Sequence, residues 1–105
     1  MLYTSKTDQL LTELAAKAIG LTGYQWCNTS KHMYRYAGNA IRIFAPLQDN
    51  DDAFMLATKL GFTVEFPKYK GFGSTCGKHT VFRDDQEEQT RRAIVLEAAD
   101  KASVY

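Results

Sequence analysis

The only two cysteines and two histidines of the chain fall in two local pairs, Cys27-x4-His32 and Cys76-x2-His79. Spacings of two to four residues let both side chains of a pair converge on one ion, and four such ligands can build a tetrahedral zinc site. Both pairs mix the residue types, however, instead of forming the common CxxC and HxxxH halves. A chain of 105 residues also buries enough surface for a core without a metal. Coincidence is the simpler account, so no cofactor is expected, and a zinc-stabilised domain stands as an alternative. A second chemistry is nucleophilic, with Cys76 activated by His79 or His32. It requires thiolate character and a group that orients the histidine, and the sequence displays neither. A protein that is not an enzyme is expected.

Gly71, Gly73 and the pair Gly77-Lys78 invite comparison with a phosphate-binding loop. The pattern GxxxxGK[ST] needs glycine at 72 and a hydroxyl residue at 79. Those positions hold Phe72 and His79, so the motif fails. The same stretch carries Lys68, Tyr69, Lys70, Phe72, Lys78 and His79. Basic residues interleaved with aromatics can neutralise phosphates and stack on bases, and an acidic protein partner suits such a patch equally well. The blander reading is a solvated hairpin with its aromatics folded back on the core. Tyr34, Arg35 and Tyr36 extend the patch only if the fold brings them near.

Carboxylates cluster at Asp49, Asp51 and Asp52 and again at Asp84, Asp85, Glu87 and Glu88. Both clusters precede apolar helical patterns, where acids complement unpaired N–H groups and the helix dipole. Asp49-Asn50-Asp51-Asp52 resembles the start of a calcium loop, but the glycine and distant glutamate of an EF-hand are missing. Between Glu13 and Asp49, and again from Phe66 to Arg83, no acid occurs, so positive charge is concentrated there. With a net charge of +1, nothing global drives the protein to nucleic acid or to a membrane surface. Met1-Leu2-Tyr3-Thr4 leads straight into polar residues without a leader-like segment, and no run of about 18 apolar residues occurs. Free thiols in a reducing cytoplasm are expected.

The elements that must position these residues follow from periodicity. Ser5 to Ile19 reads as a helix, with Ser5, Thr7 or Asp8 as cap, Leu11, Leu14, Ala15 and Ala18 as its apolar stripe, and Gly20 as its stop. Trp26 is expected in the core or at its rim, and Cys27 to Lys31 as a turn. Met33–Tyr36 and Ala40–Phe44 read as short strands. A second helix spans Asp49 to Leu60 and ends on Gly61, with Asp49 or Asn50 as cap, Asp52 three residues after Asp49 in the manner of a capping box and Ala53, Leu56, Ala57 and Leu60 inward. Phe62, Val64 and Phe66 alternate with Thr63 and Glu65, the pattern of a half-buried strand. Lys68 to Lys78 reads as a loop, with His79 to Arg83 returning beside Phe62 to Phe66 as a long hairpin. Asp85 to Ser103 is a helix with Ile94, Val95, Ala98, Ala99 and Ala102 inward. On its surface Glu87–Arg91, Glu88–Arg92 and Glu97–Lys101 have i, i+4 spacing. One domain, 1–105, of α/β (α+β) class is expected: a small antiparallel sheet with three helices packed on it as an αβα sandwich.

The pieces together resemble the phage αβα-sandwich family of small bacteriophage proteins, including NinX-type proteins. The resemblance is carried by Asp8-Gln9-Leu10-Leu11 through Gly20, then by Phe44, Pro46, Asp49, Asp52, Ala53, Leu56, Lys59 and Leu60. It closes on Arg92, Ala93, Ile94, Ala98 and Ala99. It implies a phage origin and an accessory role and supplies no catalytic residues. The functional expectation is therefore a non-enzymatic bacteriophage accessory protein in the host-cell cytoplasm. It would act by binding a host or phage protein, with a component of host defence as one target. The alternative is a nucleic-acid binder that uses the 68–79 loop.

Overall fold

The computed structural model describes residues 7–67, 69 and 71–104. Ser5, Lys68, Lys70 and the opening Met1-Leu2-Tyr3-Thr4, all read from the sequence above, lie outside the described residues. The element order is α1 (Asp8–Ala18), β1 (Gln25–Cys27), β2 (His32–Ala37), β3 (Ala40–Phe44), α2 (Asn50–Leu60), β4 (Val64–Glu65), β5 (Ser74–Cys76), β6 (His79–Val81) and α3 (Gln86–Val104). The fold is α+β, with three helices and two antiparallel three-stranded sheets, ordered β1-β2-β3 and β4-β5-β6.

Helix boundaries follow side-chain chemistry. Thr7 accepts a hydrogen bond from the Leu10 N–H and starts α1. The helix ends where Gly20 takes φ of 76° and the Leu21 N–H reaches back to the Ala16 carbonyl, the glycine-terminated C-cap. Buried Thr12 satisfies its hydroxyl on the Asp8 carbonyl at 2.7 Å. Asp49 caps α2 through the Asp51 N–H. Asp52 departs from the expected capping box: its carboxylate accepts from the Ala45 N–H at 2.8 Å, because the chain turns back through Ala45 and Pro46 before the helix begins. Burial raises the Asp52 pKa, and that backbone hydrogen bond works against the rise. Gly61 closes α2 at φ of 71°. Asp85 caps α3 by accepting from the N–H groups of Glu87 and Glu88.

The core lies where α3 meets α1, α2 and the second sheet. Ala93, Val95, Ala98 and Ala99 are fully buried on α3, and their small side chains let the neighbouring elements approach closely. Leu11, Phe44 and Leu56 fill the remaining space, each fully buried side chain contributing roughly 1.5–3 kcal/mol. Trp26 packs at the rim of this core, its indole N–H on the Asn28 side chain.

The second sheet differs from the expected long hairpin. Ser74–Cys76 forms a strand of its own, paired on one side with Val64–Glu65 and on the other with His79–Val81. The turn joining β5 and β6 is only Gly77-Lys78, with Gly77 at φ of 60°. Strand β4 stops at Glu65, so Phe66 projects outward and is 68% exposed instead of facing inward. The surface charges of α3 also reach across to other elements. Arg91 donates to the Leu47 carbonyl and to Asn50, Arg92 pairs with Asp8 at 2.8 Å, and Glu97 accepts from the Lys78 N–H.

The second sheet is fastened to α3 by Gln89, which is 1% exposed. Its amide nitrogen donates to the Phe72 carbonyl and to Ser74 Oγ, and its amide oxygen accepts the Arg83 N–H at 2.8 Å. Gln89→Leu keeps the bulk but leaves two backbone groups unpaired, at roughly 1–3 kcal/mol each. A stability loss of about 2–4 kcal/mol is expected in urea denaturation, with the helical circular dichroism retained.

Candidate functional site

The region from Tyr69 to His79 divides into an aromatic part and a charged part. Tyr69 and Phe72 form an edge-to-face pair with ring centroids 5.7 Å apart, closed by a turn from the Phe72 N–H to the Tyr69 carbonyl. Both rings stand exposed and do not fold back on the core. A Cβ on Gly73 would lie 2.9 Å from Phe82 and from Thr80, so the Phe82 ring lies across this glycine and is itself largely exposed.

A groove of about 550 Å³ lies between α2, β4 and the first half of α3. Ala57, Phe62, Val64 and Ile94 line it, with Phe54 and Phe66 as outer walls. Phe54 is 72% exposed in the middle of α2. An isolated exposed apolar residue is ordinary, but a contiguous aromatic surface around a concave one is the mark of an interaction site. The sequence signal was Phe54 itself, an aromatic off the inward stripe of its helix.

Lys78 and His79 belong to a different environment from the aromatics. The Lys78 N–H donates to Glu97 Oε1 at 3.2 Å and its ammonium lies 3.7 Å from Asp100. His79 Nε2 is shut off from solvent, 3.6 Å from Glu97 and 3.9 Å from Asp100. Burial lowers the His79 pKa, with Glu97 acting in the opposite direction and Lys78 in the same one. A Cβ on Gly77 would overlap the Glu97 carboxylate, so this turn needs glycine for space as well as for its positive φ. The sequence marks Glu97 only as an i, i+4 partner of Lys101 and does not mark Asp100 at all. The available signal was an acid inside the apolar run Ile94-Val95-Leu96-Glu97-Ala98-Ala99.

The two Cys/His pairs do not form one site. Cys27 and His32 face each other across β1 and β2, and Cys76 and His79 across β5 and β6, in different sheets. Each pair is local because a hairpin makes it so, and nothing in a hairpin brings the two sheets' pairs together. Among the described residues, the group of potential ligand atoms lying within 4.8 Å of one another is His79, Glu97 and Asp100. Tyr34 and Tyr36 stack edge to face in the first sheet, and Arg35 there donates to the Thr22 carbonyl and lies over the Tyr24 ring. They therefore belong to a sheet other than the one that carries Lys78 and His79.

No family model, curated protein or solved structure matches this chain.

The thiols occupy opposite environments. Cys76 is fully buried, and burial together with the Glu97 charge pushes its pKa up to about 12. Cys27 lies partly exposed, and hydrogen bonds from the Ser30 backbone and side chain lower its pKa. Since the thiolate is the reactive form, an alkylating reagent at mildly alkaline pH is expected to modify Cys27 alone in the native protein. Cys76 should follow only in denaturant, as read by mass spectrometry.

Proposed function

We propose that this chain is a non-enzymatic accessory protein of a bacteriophage, acting in the host cytoplasm by binding a host or phage protein, with a component of host defence as one target. The phage assignment rests on the resemblance carried by Asp8–Gly20, Phe44–Leu60 and Arg92–Ala99. No helix among the described residues is long and apolar enough to cross a membrane, which accords with action away from one.

The observation that carries the binding role is the aromatic surface around the groove. Phe54 and Phe66 are 72% and 68% exposed, and a partner that covered both rings would remove a large apolar area from water. Aromatic anchors seated beside a concave site are the residues that dominate protein–protein affinity. Tyr69 and Phe72 extend the same character to the binding region read from the sequence, 68–79. The nucleic-acid alternative draws less support, because His79 is turned inward toward Glu97 and Asp100.

The test is affinity capture from lysates of phage-infected and uninfected bacteria, with the wild type and the Phe54→Glu/Phe66→Glu double variant. A stoichiometric protein retained by the wild type, unaffected by nuclease and lost by about tenfold or more with the variant, is expected. Retention that nuclease abolishes, or that the double variant leaves intact, would refute the reading.

A further inference from the structure

We propose that His79, Glu97 and Asp100 form a binding site for one divalent transition-metal ion of the zinc class. The donor set is one imidazole nitrogen and two carboxylate oxygens, and all three atoms lie within 4.8 Å of one another. Metal–ligand bonds of about 2.0–2.1 Å in a tetrahedron put neighbouring donor atoms about 3.3–3.4 Å apart. His79 Nε2 stands 3.6 Å from Glu97 Oε1 and 3.9 Å from Asp100 Oδ2. Both imidazole-to-carboxylate separations therefore lie within a few tenths of an ångström of the spacing a tetrahedral ion requires.

The framework around the three donors is built to hold them. His79 opens strand β6, while Glu97 and Asp100 stand one turn apart on α3, so rigid elements carry every donor. Their side chains are only 12%, 11% and 18% exposed. The Lys78 N–H fixes Glu97 from outside the shell, as second-shell donors do at metal sites. Gly77 leaves open the space that the Glu97 carboxylate fills, which any Cβ there would take. An imidazole in the set favours zinc-class ions over magnesium or calcium.

Lys78 sharpens the proposal. Its ammonium lies 3.7 Å from Asp100 on a side chain that is 82% exposed. It supplies the positive charge that a metal would supply, and it can swing into water when the metal enters. Lys78 is therefore a competitor of the metal, and removing its charge should tighten binding. A site serving only as an ion pair would show no such gain.

Isothermal titration of the full-length wild-type chain with Zn2+, near neutral pH in a non-chelating buffer, tests this. One ion per chain in the micromolar range is expected. His79→Gln and Asp100→Asn should each weaken binding by more than about tenfold, and Lys78→Met should tighten it severalfold. Circular dichroism checks that each variant is folded. If His79→Gln unfolds, Asp100→Asn and Lys78→Met still decide the matter. Absence of binding by the wild type, or binding that His79→Gln, Asp100→Asn and Lys78→Met leave unchanged, would overturn the proposal. The latter result would mean adventitious zinc at a site such as Cys27 and His32.

Discussion

Everything in the second half of the chain depends on the buried polar seam between α3 and the β4-β5-β6 sheet. The strands of that sheet are two or three residues long, too short to stand without a partner. Gln89 holds the chain before β5 and after β6 at once, through Phe72 and Arg83. The Ser74 and Thr90 hydroxyls pair at 2.6 Å beside it. About 12 Å further along the helix, Glu97 holds the turn through the Lys78 N–H. A slip of one residue would turn Ser74 and Cys76 away from the helix and leave Gln89 without its partners, so the seam specifies register as well as adhesion.

That constraint also explains where the aromatic residues end up. Buried positions of the second sheet are occupied by Ser74, Cys76 and Val81, small enough to lie close under α3. Phe66, Phe72 and Phe82 flank the same strands and find no place in the seam, so they remain exposed. The groove between α2 and α3 arises in a similar way. Ala53 and Ala57 of α2 and Ile94 of α3 pack inward, and the larger Phe54 and Phe66 are left as walls. The apolar surface is the residue of a tightly fitted core built from small side chains, and a partner can use it because the fold does not.

The helices were legible because their signals are local. Thr7, Asp49 and Gly61 act at the positions where cap chemistry places them, and the inward stripe of α3 holds from Ile94 to Ala102. The second sheet was illegible because Ser74-Thr75-Cys76 has neither length nor branched apolar residues, and its glycine neighbours read as loop. Its strand identity comes from pairing on both sides and from Gln89, which are long-range facts. Cys27 with His32 and Cys76 with His79 are cross-strand neighbours, which the turn and loop readings of those stretches did not show, and local spacing carries no information on which hairpins meet. Glu97 looked like a surface partner of Lys101 because i, i+4 spacing is visible in sequence, whereas the hairpin lying over it is not.

The corner formed by Gly77, Lys78, His79, Glu97 and Asp100 shows why these long-range facts matter for chemistry. Two carboxylates, Glu97 and Asp100, stand one turn apart on α3 with side chains only 11% and 18% exposed, and such charges are stable out of water only beside positive charge or hydrogen-bond donors. Among the described residues Lys78 brings its ammonium to 3.7 Å from Asp100 on a side chain that is 82% exposed, where screening limits what the pair contributes. Two carboxylates and an imidazole, brought together here by a helix and a hairpin, match the charge and donor chemistry of a divalent ion.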